Sequence, residues 1–287
     1  MTTEAPYPRP SGRPLALAAN LSLLFTELPF LARPAAARAA GFDRVEMWWP
    51  FTEAIAPSGA IDALVDALAA AGVDLVGLNF FAGDMPGGER GVASDPARRA
   101  ELEANCADVL RIGRETGCRH FNLLYGQRLE RYSAAEQDAA AISAIDWVAR
   151  AVAVIGGTVL IEPLAKGLNG TYPLTDPDHV VDLLQGPLVE HPNVKLLFDT
   201  FHLGSNGVDI VTAAGKYAPW IGHVQLADAP GRGEPGSGHL PIGATLERLV
   251  NAGYRGTVAA ENKPTASTEQ TLGWVEALAR AGLVAWR

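Results

Sequence analysis

The chain has 287 residues, of which 48% are hydrophobic, and a formal net charge of −9 with a pI near 5.2. This length suits one large domain or two small ones. The acidic balance argues against a non-specific binder of nucleic acid or anionic membranes, because such proteins usually present a basic surface, but it allows a small anionic substrate, which needs only local positive charge.

The N-terminal segment and the cysteines indicate where in the cell the protein is located. Residues 1–14 contain four prolines and no apolar run, which predicts a flexible extension rather than a signal peptide. The apolar stretch 15–25 is far shorter than the ~20 residues of a membrane-spanning helix, and Cys106 and Cys118 show no disulfide or CxxC pattern. We therefore expect a soluble cytoplasmic protein with no membrane or nucleic-acid partner. The sequence does not predict the number of subunits, and a homo-oligomer is one of the alternatives.

One unit recurs along the chain: an Ala-rich helical segment, a glycine near its end, and a short run of Val, Ile, Leu or Phe. Examples are AAARAAGFDRVEMWW (35–49), DALAAAGVDLVGLNF (66–80) and VAVIGGTVLIEP (152–163). Glycine at a helix end supplies a left-handed cap, and the apolar runs are typical of strands buried on both faces. The pattern predicts parallel strands joined by right-handed helical crossovers.

Eight strands are predicted by this pattern. They lie at 15–20, 43–48, 73–80, 118–124, 157–162, 193–199, 221–227 and 254–261. No change of composition marks a linker, so we predict a single (β/α)8 TIM barrel over residues 15–287, with a doubly wound open sheet as the alternative. The absence of GxGxxG after the first strand disfavours that alternative.

The ends of strands five to eight carry oxygen-bearing side chains. They are Glu162 in TVLIEPL, Asp199 in VKLLFDTFH, Gln225 in GHVQLAD and Glu261 in TVAAENKP. Sites of such barrels lie at the carboxyl ends of the strands, where three carboxylates would repel one another unless a cation lay between them. Oxygen ligands without thiolate or imidazole favour Mg²⁺ or Mn²⁺ over zinc. A single carboxylate at a strand end is often only a helix cap, as Asp199 could be.

Further polar residues flank these strand ends. We assign His202, predicted on a loop above the barrel, to substrate binding, with a solvated loop histidine as the alternative, and we assign Lys263 in AAENKP to substrate binding as well. His223 is predicted deeper in the barrel, in a packing role. The Gly- and Pro-rich loop 228–240 predicts a shaped lid. Its Arg232 is predicted to pair with a substrate carboxylate, the alternative being a salt bridge within the lid.

These motifs carry a resemblance. The segments ANLSLLFTELPF, IEPL, FDTFH and above all GHVQLADAPGRGEPGSG followed by AAENKP resemble the hydroxypyruvate isomerase family within the xylose isomerase-like barrels, in order from about residue 15 to the C-terminus. Two segments depart from the family pattern. Ala165 stands where Glu-Pro-Leu is commonly followed by Asn, and Gly238-His239-Leu240-Pro241 replaces a Gly-Glu-x-Asn stretch.

The resemblance implies a metal-dependent isomerase that interconverts hydroxypyruvate and tartronate semialdehyde. It implies that Glu162 and Glu261 are the acid/base pair, and that Glu162, Asp199, Gln225 and Glu261 are metal ligands. The departures leave open a four-carbon 2-oxo-tetronate isomerase or a ketose 3-epimerase on the same barrel. A barrel endonuclease is disfavoured, since it needs several metals and many histidine ligands, whereas this acidic chain has six histidines.

Overall fold

Eight parallel strands close into a barrel in the computed structural model, which describes residues 12–286. The strands are β1 Leu15–Asn20, β2 Arg44–Met47, β3 Asp74–Asn79, β4 His120–Asn122, β5 Thr158–Ile161, β6 Val194–Asp199, β7 Ile221–Leu226 and β8 Thr257–Ala260. Each strand pairs with the next, and β1 pairs with both β2 and β8, which closes the sheet. This confirms the predicted (β/α)8 barrel. Most of the predicted 1–14 extension, residues 1–11, lies outside the described part of the chain.

Helices cover the outside of the barrel. They are α1 Arg33–Ala39, α2 Ala60–Ala71, α3 Arg99–Thr116, α4 Ala134–Ala153, α5 Pro177–Gln185, α6 Thr200–Ser205, α7 Ile210–Tyr217, α8 Ile242–Asn251 and α9 Gly273–Arg280. The predicted glycine caps are present after α2 and α3, where Gly72 and Gly117 adopt φ values of 64° and 80°. Within residues 12–286, no helix combines the length and apolarity that crossing a bilayer demands.

Several strands are shorter than predicted, among them β4, which spans His120–Asn122 rather than 118–124, and β8, which begins at Thr257 rather than at residue 254. The Tyr254 hydroxyl donates to the Thr257 carbonyl oxygen at 2.7 Å just before β8. A ninth strand, β9 at Val284–Ala285, pairs with the start of β1. Two residues are too few to produce a recognisable strand pattern in the sequence.

The strand register determines which polar side chains become neighbours at the carboxyl rim. Asn20 of β1 pairs with Glu46 of β2. Asp199 of β6 pairs with Gln225 of β7. Because residues paired across parallel strands point to the same face, each pair delivers two polar side chains together into the top of the barrel.

Candidate active site at the carboxyl rim

The four strand-end residues predicted from the sequence are all buried at the carboxyl rim. They are Glu162 immediately after β5, Asp199 at the end of β6, Gln225 within β7 and Glu261 immediately after β8. Oxygen atoms of Glu162 and Asp199 and a ring nitrogen of His202 all lie within 4.8 Å of one another, as a cation site requires. The structure therefore brings Glu162 and Asp199 together with His202, whereas Glu261 is outside this group and is connected to Asp199 through Arg232.

Arg232 lies between two of these carboxylates. Its Nη2 donates to Asp199 Oδ2 at 3.1 Å and to Glu261 Oε2 at 2.5 Å, while its Nε donates to the Glu261 carbonyl oxygen at 3.1 Å. Burial alone would lower the pKa of Arg232, but the surrounding carboxylates, led by Glu261, raise it. The guanidinium is thus permanently charged and supplies positive charge at the centre of an otherwise acidic site.

The lid alternative for Arg232, a salt bridge inside the loop, is not what the structure shows. The Glu234 side chain accepts hydrogen bonds from the backbone N–H and the hydroxyl of Thr265, at 2.7 and 3.0 Å. The side chain of Arg232 is directed to the rim instead, from a residue with a left-handed φ of 61°. That conformation is unusual for a residue with a Cβ and is often found at functional sites.

The loop that carries Arg232 is held by Asp228. The Asp228 carboxylate accepts backbone N–H hydrogen bonds from Ala229, Gly236 and Leu240, at 2.8, 2.8 and 2.9 Å. The loop is also tied to the segment after β8, because the Lys263 N–H donates to the Arg232 carbonyl oxygen at 2.7 Å. The Lys263 side chain is exposed, so only its backbone takes part in this contact. The loop is a shaped cover rather than an unstructured connection.

His202 does not lie on a loop, as the sequence led us to expect. It lies in the short helix α6 and is only 4% exposed, so the solvated-loop alternative is wrong. The helix begins there because Asp199 Oδ1 accepts the N–H groups of Phe201 and His202 at 2.7 and 3.1 Å. Asp199 is therefore a helix cap through one oxygen while its other oxygen faces the site.

The two ring nitrogens of His202 have different surroundings. Nδ1 accepts a hydrogen bond from the Ala165 N–H at 3.0 Å. Nε2 lies 3.7 Å from both Glu162 Oε1 and Asp199 Oδ2, and 3.2 Å from Arg232 Nη1. Burial lowers the pKa of His202 to about 4. A neutral imidazole is therefore directed at the carboxylates at neutral pH.

Three hydrogen-bond donors from the first half of the barrel hold the two glutamates. Asn122 Nδ2 donates to Glu162 Oε2 at 2.7 Å. Asn20 Nδ2 and Trp48 Nε1 both donate to Glu261 Oε1, at 3.1 and 2.7 Å. These bonds restrict the direction in which each carboxylate presents its remaining lone pairs.

A second layer lies beneath the carboxylates and centres on Glu46. Its Oε1 accepts from Asn20 Nδ2 and Gln225 Nε2, each at 2.8 Å, and its Oε2 lies 2.5 Å from His223 Nε2. This agrees with the predicted deep position of His223, whose ring also stacks on His120 with centroids 6.1 Å apart. Since Glu46 holds the Gln225 amide nitrogen, Gln225 Oε1 is left buried without a hydrogen-bond partner among the described residues.

The pKa values of both Glu162 and Glu261 are raised. Burial, with Asp199 as the next cause, raises the pKa of Glu162 to about 8. Burial is also the main cause that raises the pKa of Glu261, and Arg232 opposes it. Buried carboxyl groups with raised pKa values are suited to proton transfer near neutral pH.

Sequence reasoning missed the contributions of Asn20, Glu46, Trp48 and Asn122. The signal was present, because Asn20, Asn79 and Asn122 are the last residues of β1, β3 and β4. The criterion applied to β5 to β8, a polar side chain ending an apolar strand, applies equally to the first four strands. Amides attracted less notice because they carry no charge.

The two departures from the family pattern lie in different surroundings. Ala165 is buried in a small apolar cluster with Phe201, Ala227 and Ala229, directly beside His202. His239 is exposed on the loop, and its N–H donates to the Ala229 carbonyl oxygen at 3.0 Å. The change at residue 165 therefore lies next to the site, and the change at residue 239 lies at the outer surface of the cover.

Comparison with known proteins places this architecture in a family. The protein-family model of the xylose isomerase-like TIM barrel matches residues 34–278. A putative hydroxypyruvate isomerase of Streptomyces coelicolor is 44% identical, over 91% of this chain and 96% of that protein. The hydroxypyruvate isomerase of Escherichia coli is 31% identical over 91% and 98%. A 2-oxo-tetronate isomerase of Cupriavidus necator is 32% identical over 90% and 96%.

A solved structure agrees with these matches. The crystal structure of a protein described as AP endonuclease, family 2, from Brucella melitensis superposes with a TM-score of 0.83 at 30% identity, covering 91% of this chain and 98% of the other. The fold, the rim of carboxylates and the similarity over nearly the whole length of its relatives lead to one conclusion. The chain belongs to the hydroxypyruvate isomerase family, a family of isomerases built on the xylose isomerase-like TIM barrel.

Proposed function

We propose that this enzyme uses a divalent cation to interconvert hydroxypyruvate and tartronate semialdehyde by proton transfer. The observation that carries the proposal is the arrangement of Glu162 and Glu261. These two buried carboxyls with raised pKa values reach the rim from strands β5 and β8, where neutral donors hold both and Arg232 also holds Glu261. Two such groups beside one substrate provide both the base and the acid that an isomerisation needs.

The chemistry of the residues fits Mg²⁺ or Mn²⁺. Glu162, Asp199, Gln225 and Glu261 would hold the cation, since all four offer oxygen and Gln225 Oε1 is buried without a partner among the described residues. His202 Nε2 also lies within reach of two of the carboxylates, but we assign it to the substrate. When bound, the cation would supply positive charge that stabilises the negative charge developing on the substrate oxygens.

The protein residues would carry the protons. One glutamate of the Glu162 and Glu261 pair removes a proton from C3 of hydroxypyruvate, which gives an enediolate across C2 and C3. The other delivers a proton to C2, and the proton of the C3 hydroxyl moves to the oxygen on C2, so that an aldehyde remains at C3. Atoms and charge balance, because one carbon-bound proton has moved from C3 to C2 and one oxygen-bound proton has moved from the C3 oxygen to the C2 oxygen. The opposite direction uses the same two groups in exchanged roles.

Arg232, His202 and Lys263 would bind the substrate. A cation bound by Asp199 and Glu261 would compete with Arg232 for the same oxygens, which would free the guanidinium for an oxygen at the reacting end of the substrate. His202, neutral and buried, would donate to a substrate oxygen through Nε2, because its Nδ1 already accepts the Ala165 N–H. Lys263, exposed at the edge of the site, would add positive charge for an approaching anion.

A 2-oxo-tetronate isomerase is the second candidate, and the Cupriavidus relative of that name favours it. Its substrate class is longer by one carbon but needs the same proton transfer. The replacement of Asn by Ala165, which removes a polar side chain beside His202, bears on this choice. A ketose 3-epimerase would use the same carboxylates on an uncharged sugar. An endonuclease is disfavoured, because His202 is the single histidine in the candidate metal cluster of the described residues.

Steady-state assays decide among these candidates. Metal-loaded enzyme is supplied with hydroxypyruvate, four-carbon 2-oxo acids and free ketoses, and kcat/KM should be largest for hydroxypyruvate. In deuterium oxide, the product should carry solvent deuterium at carbon, because a carboxylate base exchanges its proton with water. Full activity without any solvent label would indicate a hydride shift and would refute the acid/base roles of Glu162 and Glu261. A preference for the four-carbon acid would instead select the second candidate.

A further inference from the structure

Arg90 is a second guanidinium near the site, and it has no role in the proposed proton transfer. It lies in the connection between β3 and α3 and is half-buried. Its Nε donates to Asn169 Oδ1 at 3.0 Å, and its Nη1 donates to the carbonyl oxygens of Met85 and Glu89 at 3.0 and 2.6 Å. All three acceptors are neutral. Among residues 12–286 no carboxylate forms a salt bridge with Arg90, and no acceptor is assigned to Nη2.

A chain of contacts connects Arg90 to the carboxylate cluster. Asn169, which accepts from Arg90, donates through Nδ2 to the Ala165 carbonyl oxygen at 3.0 Å. The Ala165 N–H donates to His202 Nδ1, also at 3.0 Å, and His202 Nε2 lies 3.2 Å from Arg232 Nη1. Arg90 thus reaches across from the β3 side of the rim to the connection after β5.

The backbone beside Arg90 is fixed. Gly91 has φ 101°, and a Cβ there would lie 2.3 Å from the Leu124 carbonyl oxygen. Only glycine allows this close approach of the two connections, and the Gly91 N–H donates to the Ala82 carbonyl oxygen at 2.8 Å. Burial and then the charge of Arg232 lower the pKa of Arg90.

The charges of the site explain why a second guanidinium matters. Arg232 is already paired with Asp199 and Glu261. A substrate with its own carboxylate must enter beside three acidic side chains, and an uncharged sugar need not. The neighbouring Arg98 cannot help, because it is paired with Glu89 and Glu101 at 2.8 and 2.5 Å. Arg90 lacks such partners: its Nε and Nη1 are held by neutral acceptors, and among residues 12–286 its Nη2 has no hydrogen-bond acceptor.

We propose that Arg90 binds the carboxylate of the substrate and makes the enzyme selective for short hydroxy-oxo acids over uncharged ketoses. The inference rests on the proposed function, since it names the group that recognises the acid end of that substrate. The two arginines then differ in role. Loss of Arg232 disturbs the carboxylate cluster for every substrate, whereas loss of Arg90 affects only substrates that carry a carboxylate.

The test compares Arg90→Met, Arg90→Lys and the control Arg98→Met, each metal-loaded and with its fold checked by circular dichroism. D-glycerate serves as an inert acid probe in titration calorimetry, and KM and kcat are measured with hydroxypyruvate. Loss of a charge-assisted hydrogen bond should weaken glycerate binding and raise KM by about 10–100-fold in Arg90→Met. The kcat value should change by less than about threefold, Arg90→Lys should recover part of the loss, and Arg98→Met should resemble the wild type.

The outcomes separate this inference from the proposed function. If the wild type isomerises hydroxypyruvate and Arg90→Met keeps its KM and glycerate affinity, the role of Arg90 is refuted while the proposed function stands. A wild type that binds glycerate through Arg90 yet does not isomerise hydroxypyruvate would refute the proposed substrate and leave the acid-binding role in place. Equal losses in Arg90→Met and Arg98→Met would show a general disturbance of the connection and would also refute it.

Discussion

The two halves of the barrel rim are built differently. Strands β5 to β8 end in three carboxylates and an amide, which face Arg232 and the space above the barrel. Strands β1, β3 and β4 end in amides and β2 contributes Glu46 to a deeper layer, and the side-chain N–H groups of Asn20 and Asn122 are directed at the carboxylates of the other half. The acidic half offers ligands and proton carriers, and the amide half fixes their orientation.

The difference has an energetic reason. Burying a carboxylate is costly unless it is paired or hydrogen-bonded. The amide half supplies hydrogen bonds without adding positive charge, so the carboxylates stay oriented but keep raised pKa values. Lysine or arginine at Asn20 or Asn122 would neutralise them and would remove both their basicity and their attraction for a cation.

Substitution in the acidic half should have the largest effect. Glu162→Gln or Glu261→Gln should lower kcat by about 10²–10⁴-fold, because an amide cannot exchange the proton. Glu162→Gln should be no less stable than the wild type, since it removes a poorly solvated buried carboxyl, whereas Glu261→Gln also breaks the buried salt bridge to Arg232 and should be less stable. Metal content must be measured on the same samples, because lost occupancy would add to the effect. A variant with full occupancy and more than a third of the wild-type kcat would contradict the assigned roles.

The acidic half should also respond to pH. The raised pKa of Glu162, about 8 against an ordinary 4.5, means that this carboxyl is protonated at neutral pH without a cation. Binding of Mn²⁺ must displace the proton, so affinity should fall as the pH falls, by about tenfold per unit for each proton released. Calorimetric titrations at pH 8, 7 and 6 would measure this. Affinity that is independent of pH would show that the carboxyls are ionised before the cation binds.

The amide half should show a smaller effect on the same reaction. Asn122→Ala removes the 2.7 Å hydrogen bond to Glu162 Oε2. A hydrogen bond to a charged group contributes about 1.5–3 kcal/mol, which corresponds to about 10–100-fold in kcat/KM at saturating metal. Asn193→Ala is the control, because the Asn193 side chain donates only to the carbonyl oxygens of Ala149 and Gly157. Equal losses in both variants would mean that Asn122 acts on stability alone.

The smallest effect is expected for Trp48→Phe. This change removes one N–H donor from Glu261 Oε1 and leaves the donation from Asn20, so kcat/KM should fall by only about 3–10-fold. Trp49→Phe is the matched control, because Trp49 Nε1 donates to the Glu53 carbonyl oxygen away from the cluster. An effect of Trp48→Phe no larger than that of Trp49→Phe would remove Trp48 from the site.

The sequence was sufficient for the barrel and for the acidic half. Eight apolar runs, each after a helical segment, predicted the strands, and charged residues at their ends were conspicuous. The position of Arg232 was not predictable. Its side chain reaches Asp199 and Glu261 only because the loop is held by Asp228 and turns through a left-handed residue. Such tertiary contacts between distant segments leave no periodic signal.

The amide half was harder to recognise for a different reason. Asparagine at a strand end is common at turns, so Asn20 and Asn122 did not stand out, although both end their strands. Glu46 is separated from His223 by 177 residues, and only the closure of β1 onto β8 brings the two sides of the barrel together. A helix capped by Asp199 was considered only as the alternative to a metal-ligand role, whereas Asp199 caps α6 with one oxygen and faces the site with the other.

The central claim is that the carboxylate cluster holds a divalent cation, and a Mn²⁺ titration followed by electron paramagnetic resonance tests it most directly. Chelator-treated wild type should bind one Mn²⁺ per chain and regain activity in proportion to occupancy. Asp199→Asn, which keeps an oxygen to cap α6 but removes a charge, should bind it at least about tenfold more weakly. Full activity of the metal-free wild type, or unchanged Mn²⁺ binding in Asp199→Asn, would contradict the account.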